Sequence, residues 1–160
     1  MNKDGSSVLV VNQKEILLLL RDNIPEIPHP NLWSLPGGGI EAGESPYDAA
    51  IKELEEEVTY SPENLRLLGK KVYTPDHSVF LYLCFTADHE RTLFKHTGDE
   101  GQEIKFSYKS LLKINTTHAI SKYIAEYGNV IRRVLDERYI PEPAELGLRP
   151  SKIRSPGGVL

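Results

Sequence analysis

The stretch that decides the reading is residues 35–60, LPGGGIEAGESPYDAAIKELEEEVTY. Its second half predicts a helix over 45–57. Ser45 suits the N-cap, Pro46 the first helical position, and Asp48 completes a pattern like a capping box. Glu53, Glu56 and Glu57 then stand at i, i+3 and i+4, so three carboxylates project from one helix face. Like charges at that spacing repel, and a divalent cation reverses the sign of the interaction. Hard carboxylate oxygens are what Mg²⁺ or Mn²⁺ take, with phosphate oxygens filling other positions. Ala50, Leu54 and Val58 occupy the opposite face and predict its anchor on a sheet. Glu55 points elsewhere and reads as solvated. Ahead of the helix, Gly37-Gly38-Gly39 lets the backbone approach a ligand closely, bringing carbonyls to a metal or fixing the helix angle. The run lacks the Lys-Ser/Thr ending of a P-loop, which makes an ATPase a poor reading.

Outward from this stretch, short apolar runs bounded by turn residues predict strands at 7–11, 16–20, 67–73, 79–86 and 103–107. Residues 23–36 carry four prolines and read as an irregular loop, with a short strand around 33–35. A second helix is predicted over 117–135, where Ile120, Ile124, Tyr127, Ile131, Val134 and Leu135 recur at helical spacing. From 141 onward, four prolines and three glycines predict an extended tail beyond a single domain at 1–140. Strands and helices interleave without regular βαβ spacing, so the expected class is α/β, a mixed sheet flanked by helices.

The segment then resembles a known pattern. The Nudix box reads G-x5-E-x7-R-E-U-x-E-E-x-G-U, with U a bulky aliphatic, and Gly38, Glu44, Glu53, Leu54, Glu56 and Glu57 match it in register. Five of these are fixed Gly or Glu, so chance agreement anywhere in the chain is on the order of one in ten thousand. Trp33-Ser34-Leu35-Pro36-Gly37 also looks like the usual lead-in. The box covers 23 of 160 residues, and the strand pattern is compatible with the family fold over most of the rest. Three positions depart from it. Lys52 stands in place of Arg and keeps the charge without the bidentate fork. Thr59 replaces the Gly after the helix, which predicts a differently shaped helix end because β-branched residues disfavour the left-handed cap. Tyr60 replaces the last aliphatic.

The resemblance implies the Nudix fold, a mixed sheet between helices carrying a loop-helix-loop box, and a hydrolase that cuts a phosphoanhydride bond. The substrate class is a nucleoside diphosphate linked to another group. Mg²⁺ or Mn²⁺ is the implied cofactor, held by Glu53, Glu56, Glu57 and Gly38, with Glu53, Glu57 and Glu100 as catalytic candidates. Glu100 comes from the acidic run 98–103, with Glu103 behind it, since a glutamate from such a later loop serves similar enzymes as ligand or base. Gly37, Glu44 and Lys52 are expected to support the site, and Arg21, after the second strand, to reach a phosphate. Nucleoside triphosphates and ADP-ribose or nucleotide-sugar substrates both stay open. Pro75 sits where ADP-ribose-cleaving relatives often carry proline, though it equally suits a turn. The reading of another class is a catalytically silent module that senses a nucleotide on the same scaffold; the intact acidic triad argues against it.

The remaining residues carry less. Histidines 29, 77, 89, 96 and 118 show no metal spacing, although His29 and His77 fall in loops that could line a nucleoside pocket. Tyr73 and Phe80 are expected in the core. A formal net charge of −4 argues against a nucleic-acid or anionic-membrane surface, leaving a small nucleotide as partner and room for a homodimer. The polar tetrad 12–15 interrupts the N-terminal apolar runs, which excludes a signal core or membrane span there. A single cysteine, Cys84, in the apolar run VFLYLCF reads as a buried hydrophobe and points to a reducing, cytoplasmic setting.

Overall fold

The computed structural model describes residues 3–96, 98–108 and 115–151. Among them, seven strands form one mixed sheet. β1 (Gly5–Asn12) and β2 (Glu15–Leu20) make an antiparallel hairpin, turning at Gln13 and Lys14, both with positive φ. That is the backbone of a two-residue primed turn, whose twist matches the strands it joins. β3 (Trp33–Ser34) and β7 (Glu103–Ser107) both pair with β2, and β4 (Gly37–Gly39) pairs with β1. β5 (Arg66–Thr74) and β6 (His77–Phe85) form a second hairpin, and β6 lies parallel to β1 from Gly5↔Val79 to Val11↔Phe85. Each expected strand forms within two residues of its anticipated ends. Pro75 sits in the β5–β6 turn, the plainer of its two readings.

β1 and β2 read as nearly continuous apolar runs because both sheet faces are covered. Val8, Val10 and Leu17 face α1 (Pro46–Val58) and pack with Ala50, Leu54 and Val58. Leu9, Val11, Ile16 and Leu18 face the other way, toward Ile131, Val134 and Leu135 of α2 (His118–Glu137). α2 kinks at Tyr127 (φ −126°, ψ 20°), next to Gly128. Cys84 is buried on the α1 side, and burial pushes its thiol up to about 12. Among the described residues no helix is long and apolar enough to cross a membrane.

Three expectations need correction. α1 does end in the left-handed cap, with Thr59 at φ 56° and ψ 25°, and the N–H groups of Thr59 and Tyr60 both reach Leu54 O. The Thr59 hydroxyl, 2.7 Å from Val58 O, helps hold a conformation that costs an L-residue roughly 1–2 kcal/mol. Tyr73 is 47% exposed and stacks on His77, whereas Phe80 is in the core as expected. The chain after Pro141 is not an extended appendage as far as Ser151. Pro143–Leu146 form one 3-10 turn, Leu146 and Leu148 are buried, and Arg149 exchanges two 2.8 Å backbone hydrogen bonds with Lys70. Gly69 makes room for this strap, since a Cβ there would lie 2.8 Å from Leu148 Cβ. Residues 152–160 lie outside the described part.

Candidate active site

α1 is positioned by its own N-cap and by β4. Ser45 Oγ accepts from Asp48 N–H at 3.0 Å, and Ser6 Oγ donates to Pro46 O at 2.7 Å, tying the helix start to β1. The glycine ribbon then passes directly against the helix. A Cβ on Gly38 would overlap the Glu53 carboxylate, and one on Gly37 would overlap Ser6 O. Gly37 N–H donates to Glu57 Oε1 at 2.8 Å. Gly38 thus leaves room for the Glu53 carboxylate, and Gly37 lies close enough for its N–H to reach Glu57, one turn further along α1. Glu53 and Glu57 are only 9% and 6% exposed, while Glu55 and Glu56 face solvent.

Burial has an electrostatic consequence. It pushes Glu57 up to about 8, a rise opposed by the Gly37 hydrogen bond and the Arg21 charge and reinforced by Glu53 and Glu100. Burial, then the charge of Glu56, pushes Glu53 up to about 7, and Lys52 relieves part of this. Two buried hard-oxygen donors whose ionised forms lack sufficient countercharge are a donor set that fits a divalent cation. Among the described residues, no three acidic, histidine or cysteine side chains converge as a ready-made cage. Glu56 and Glu100, whose charges also act on Glu53, are both exposed.

Gly38 does not sit as expected. Val8 N–H bonds Pro36 O and Ile40 N–H bonds Asp4 O, so residues 36, 38 and 40 turn their backbone groups toward β1. The carbonyl of Gly38 is thus directed into the ladder, and the backbone of Gly37 is the one turned toward Glu57.

Lys52 lies 2.9 Å from Glu44 Oε2 and 3.6 Å from Glu41 Oε1, while Glu44 Oε1 accepts from Glu41 N–H at 3.1 Å. The Glu41 N–H and Lys52 hold the Glu44 carboxyl below its ordinary range, and Glu44 in turn raises Lys52. One ammonium thus joins the loop between β4 and α1 to the middle of the helix. Arg21 Nε donates to Pro28 O at 2.8 Å, so its side chain folds toward the 22–32 loop, although its charge still acts on Glu57. Glu100 lies in the loop before β7. Gly98 of that loop packs against α1, where an added Cβ would be 2.6 Å from Glu56 O. His29 is exposed at φ 54°.

The sequence reading missed Asp22, Asn31 and Gln102. Asp22 Oδ2 accepts from Gly101 N–H at 3.1 Å, and Gln102 Nε2 donates to Arg21 O at 2.8 Å and Asn31 Oδ1 at 2.9 Å. These contacts span more than seventy residues, so no local pattern announces them. On the opposite sheet face, an apolar cavity of about 120 Å³ lies between the sheet and α2, lined by Leu18, Leu81, Ile124 and Leu148, with the half-exposed Tyr73 also in its wall. Ser7 and Leu35 also line it, and Ser7 pairs with Gly37 of β4.

With this arrangement in view, the likeness to known proteins becomes specific. The sequence model of the NUDIX domain matches residues 1–127, about four-fifths of the chain. The chain belongs to the Nudix family. A 73-residue segment is 38% identical to the 8-oxo-dGTP diphosphatase of Escherichia coli (strain K12), over 45% of this chain and 54% of that protein. A 68-residue segment is 34% identical to the RNA pyrophosphohydrolase of Rhodospirillum rubrum, over 42% of this chain and 38% of that one. This Nudix chain thus spans about half or less of the length of the curated relatives it matches. The NUDIX domain of Shewanella oneidensis NrtR, solved with ADP ribose, superposes with a TM-score of 0.66 at 15% identity, covering 82% of this chain and 89% of that one. At that identity the likeness concerns the fold alone.

Proposed function

We propose that this Nudix protein is a divalent-metal-dependent pyrophosphohydrolase cutting a phosphoanhydride bond in a nucleoside diphosphate linked to another group. The observation that carries the reading is the burial of Glu53 and Glu57 side by side against a glycine ribbon, which an ordinary solvated helix face would not do. Glu53 and Glu57, completed by Glu56, are the residues that would hold Mg²⁺ or Mn²⁺. When bound, the ion neutralises closely spaced phosphate oxygens and lets an anionic nucleophile approach phosphorus. Glu100, exposed in the adjoining loop, is the residue that would accept the proton of the attacking water. Arg21 supplies a cation for a substrate phosphate, and Lys52 with Glu44 keeps the loop before α1 in register. The catalytic domain runs at least to Ser151, because Leu146 and Leu148 belong to its core.

The test is turnover of a small panel (dGTP, 8-oxo-dGTP, ADP-ribose and a nucleotide sugar) with Mg²⁺ or Mn²⁺. Release of a nucleoside monophosphate, abolished by excess chelator and lowered about tenfold to a hundredfold in Glu57→Gln, is the expected outcome. Nucleotide binding with no turnover of any member would overturn it in favour of a sensing module.

A further inference from the structure

The loop that carries Glu100 is held by residues outside the box, and its attachments are directional. Gly101 stands at φ 83°, a left-handed conformation, and a Cβ there would lie 2.7 Å from Leu19 Cδ1, so the loop turns tightly over the end of β2. Its exposed amide groups are then taken up one by one. Gly101 N–H goes to the Asp22 carboxylate, Gln102 N–H to Leu20 O at 2.8 Å, and the Gln102 side-chain amide to Arg21 O and Asn31 Oδ1. On the other side His96 Nε2 lies 2.8 Å from Glu100 O, and Gly98 rests on the Glu56 carbonyl at the end of α1. Glu100 therefore sits on a short bridge whose two ends are fixed, one to the β2 terminus and one to the acidic helix.

We infer that Asp22 and Gln102 are positioning residues that hold the Glu100 loop over the Glu53–Glu57 pair. Each side chain bonds the loop or the segment beside it rather than Glu100 itself, so each acts through the loop backbone. Asp22 supplies a charged acceptor for a single N–H, a stronger bond than a neutral acceptor gives. Gln102 supplies the amide hydrogens that join the loop to two backbone segments at once, and a residue without a side-chain donor cannot replace it. The bonds are modest and partly solvated, so their loss loosens the loop without unfolding the domain. A carboxylate displaced by about an ångström from its productive place costs up to roughly a hundredfold in rate.

The inference rests on the hydrolase reading, and the experiment separates the two. Asp22→Ala and Gln102→Leu are compared with Asp22→Asn, which keeps an oxygen acceptor, and each is also made in a Glu100→Gln background. Melting temperatures establish that each variant folds; if Gln102→Leu does not, Asn31→Ala removes one of its partners more gently. The expected result is a fall in kcat of about tenfold with KM within about twofold, substantial recovery in Asp22→Asn, and no further fall once Glu100 is Gln. Amide exchange at Gly101 should quicken at least about tenfold in Asp22→Ala, in metal-free protein and independently of turnover. Wild-type kcat in Asp22→Ala and Gln102→Leu, or losses that multiply with that of Glu100→Gln, would overturn the positioning role. Should the wild type turn over no nucleotide, the hydrolase reading falls alone. Exchange then decides the clamp, and an unchanged Gly101 rate in Asp22→Ala overturns it.

Discussion

Replacing Glu57 by Gln should make the metal-free protein more stable, by an amount that grows with pH. The Glu57 carboxyl titrates at about 8 in the folded chain against 4.5 in a free one, because burial penalises its charge. Between those values the folded chain keeps a proton that the unfolded chain has released. The unfolded state binds fewer protons, so stability falls as pH rises across this window. Each unit corresponds to about 1.4 kcal/mol. At pH 7, 2.5 units above the free value, the ionisable side chain therefore costs folding about 3 kcal/mol, and above pH 8 about 5 kcal/mol. Gln carries no such cost, and its side-chain oxygen can still accept from Gly37 N–H, which lies 2.8 Å from Glu57 Oε1. At roughly 2–4 °C per kcal/mol for a chain of this size, Tm should rise by roughly 6–12 °C at pH 7 and change little at pH 4.5.

The assay is differential scanning calorimetry of wild type and Glu57→Gln in excess chelator at intervals from pH 4.5 to 9. Added Mg²⁺ should reverse the order, since the ion binds the ionised carboxylate and stabilises the wild type increasingly as pH rises. A Tm difference that does not vary with pH, or a variant less stable than wild type at pH 7, would refute the argument from burial. Stabilisation of both proteins alike by Mg²⁺ would remove Glu57 from the metal site.

The strap after α2 should be indispensable: truncation after Glu142 removes the buried Leu146 and Leu148 and the Lys70–Arg149 pair, and is expected to lower Tm by at least about 10 °C. Leu148→Ala alone should cost about 2–4 kcal/mol in urea unfolding, and an unchanged midpoint would return the segment to a disposable tail. Gly147→Ala should destabilise by at least about 1–2 kcal/mol, because φ is 64° there and the new Cβ would overlap the Tyr127 hydroxyl. Lys52→Arg should keep kcat/KM within about threefold, since Arg can span the same distance to Glu44, whereas Lys52→Ala should lose about tenfold by releasing the loop before α1. An inactive but folded Lys52→Arg would show that the ammonium has another task.

What could be read from the sequence was whatever is encoded within about one turn of chain. Ser45, Pro46 and Asp48 specify the start of α1, and the spacing of Glu53, Glu56 and Glu57 places three acids on one side of it. Spacing does not say which of the three is buried, because that depends on what lies opposite. Glu53 and Glu57 meet β4, a strand of three glycines with no intrinsic strand preference, where a side chain on Gly37 would strike the Ser6 backbone and one on Gly38 the Glu53 carboxylate. The same pairing turns the Gly38 carbonyl toward β1, a consequence of strand parity that no motif states. The packing of the strap is illegible locally for a related reason. Pro141, Pro143 and Pro150 forbid a long helix but not one 3-10 turn, and the groove that receives Leu148 exists only because Gly69 lies more than seventy residues earlier. Thr59 shows the converse case. A local rule argued against the left-handed cap, yet the cap forms, because the buried Val58 and Tyr60 on either side and the hydroxyl bond to Val58 outweigh one residue's backbone strain. Local chemistry thus names the acids, and long-range contacts choose which of them lose their water.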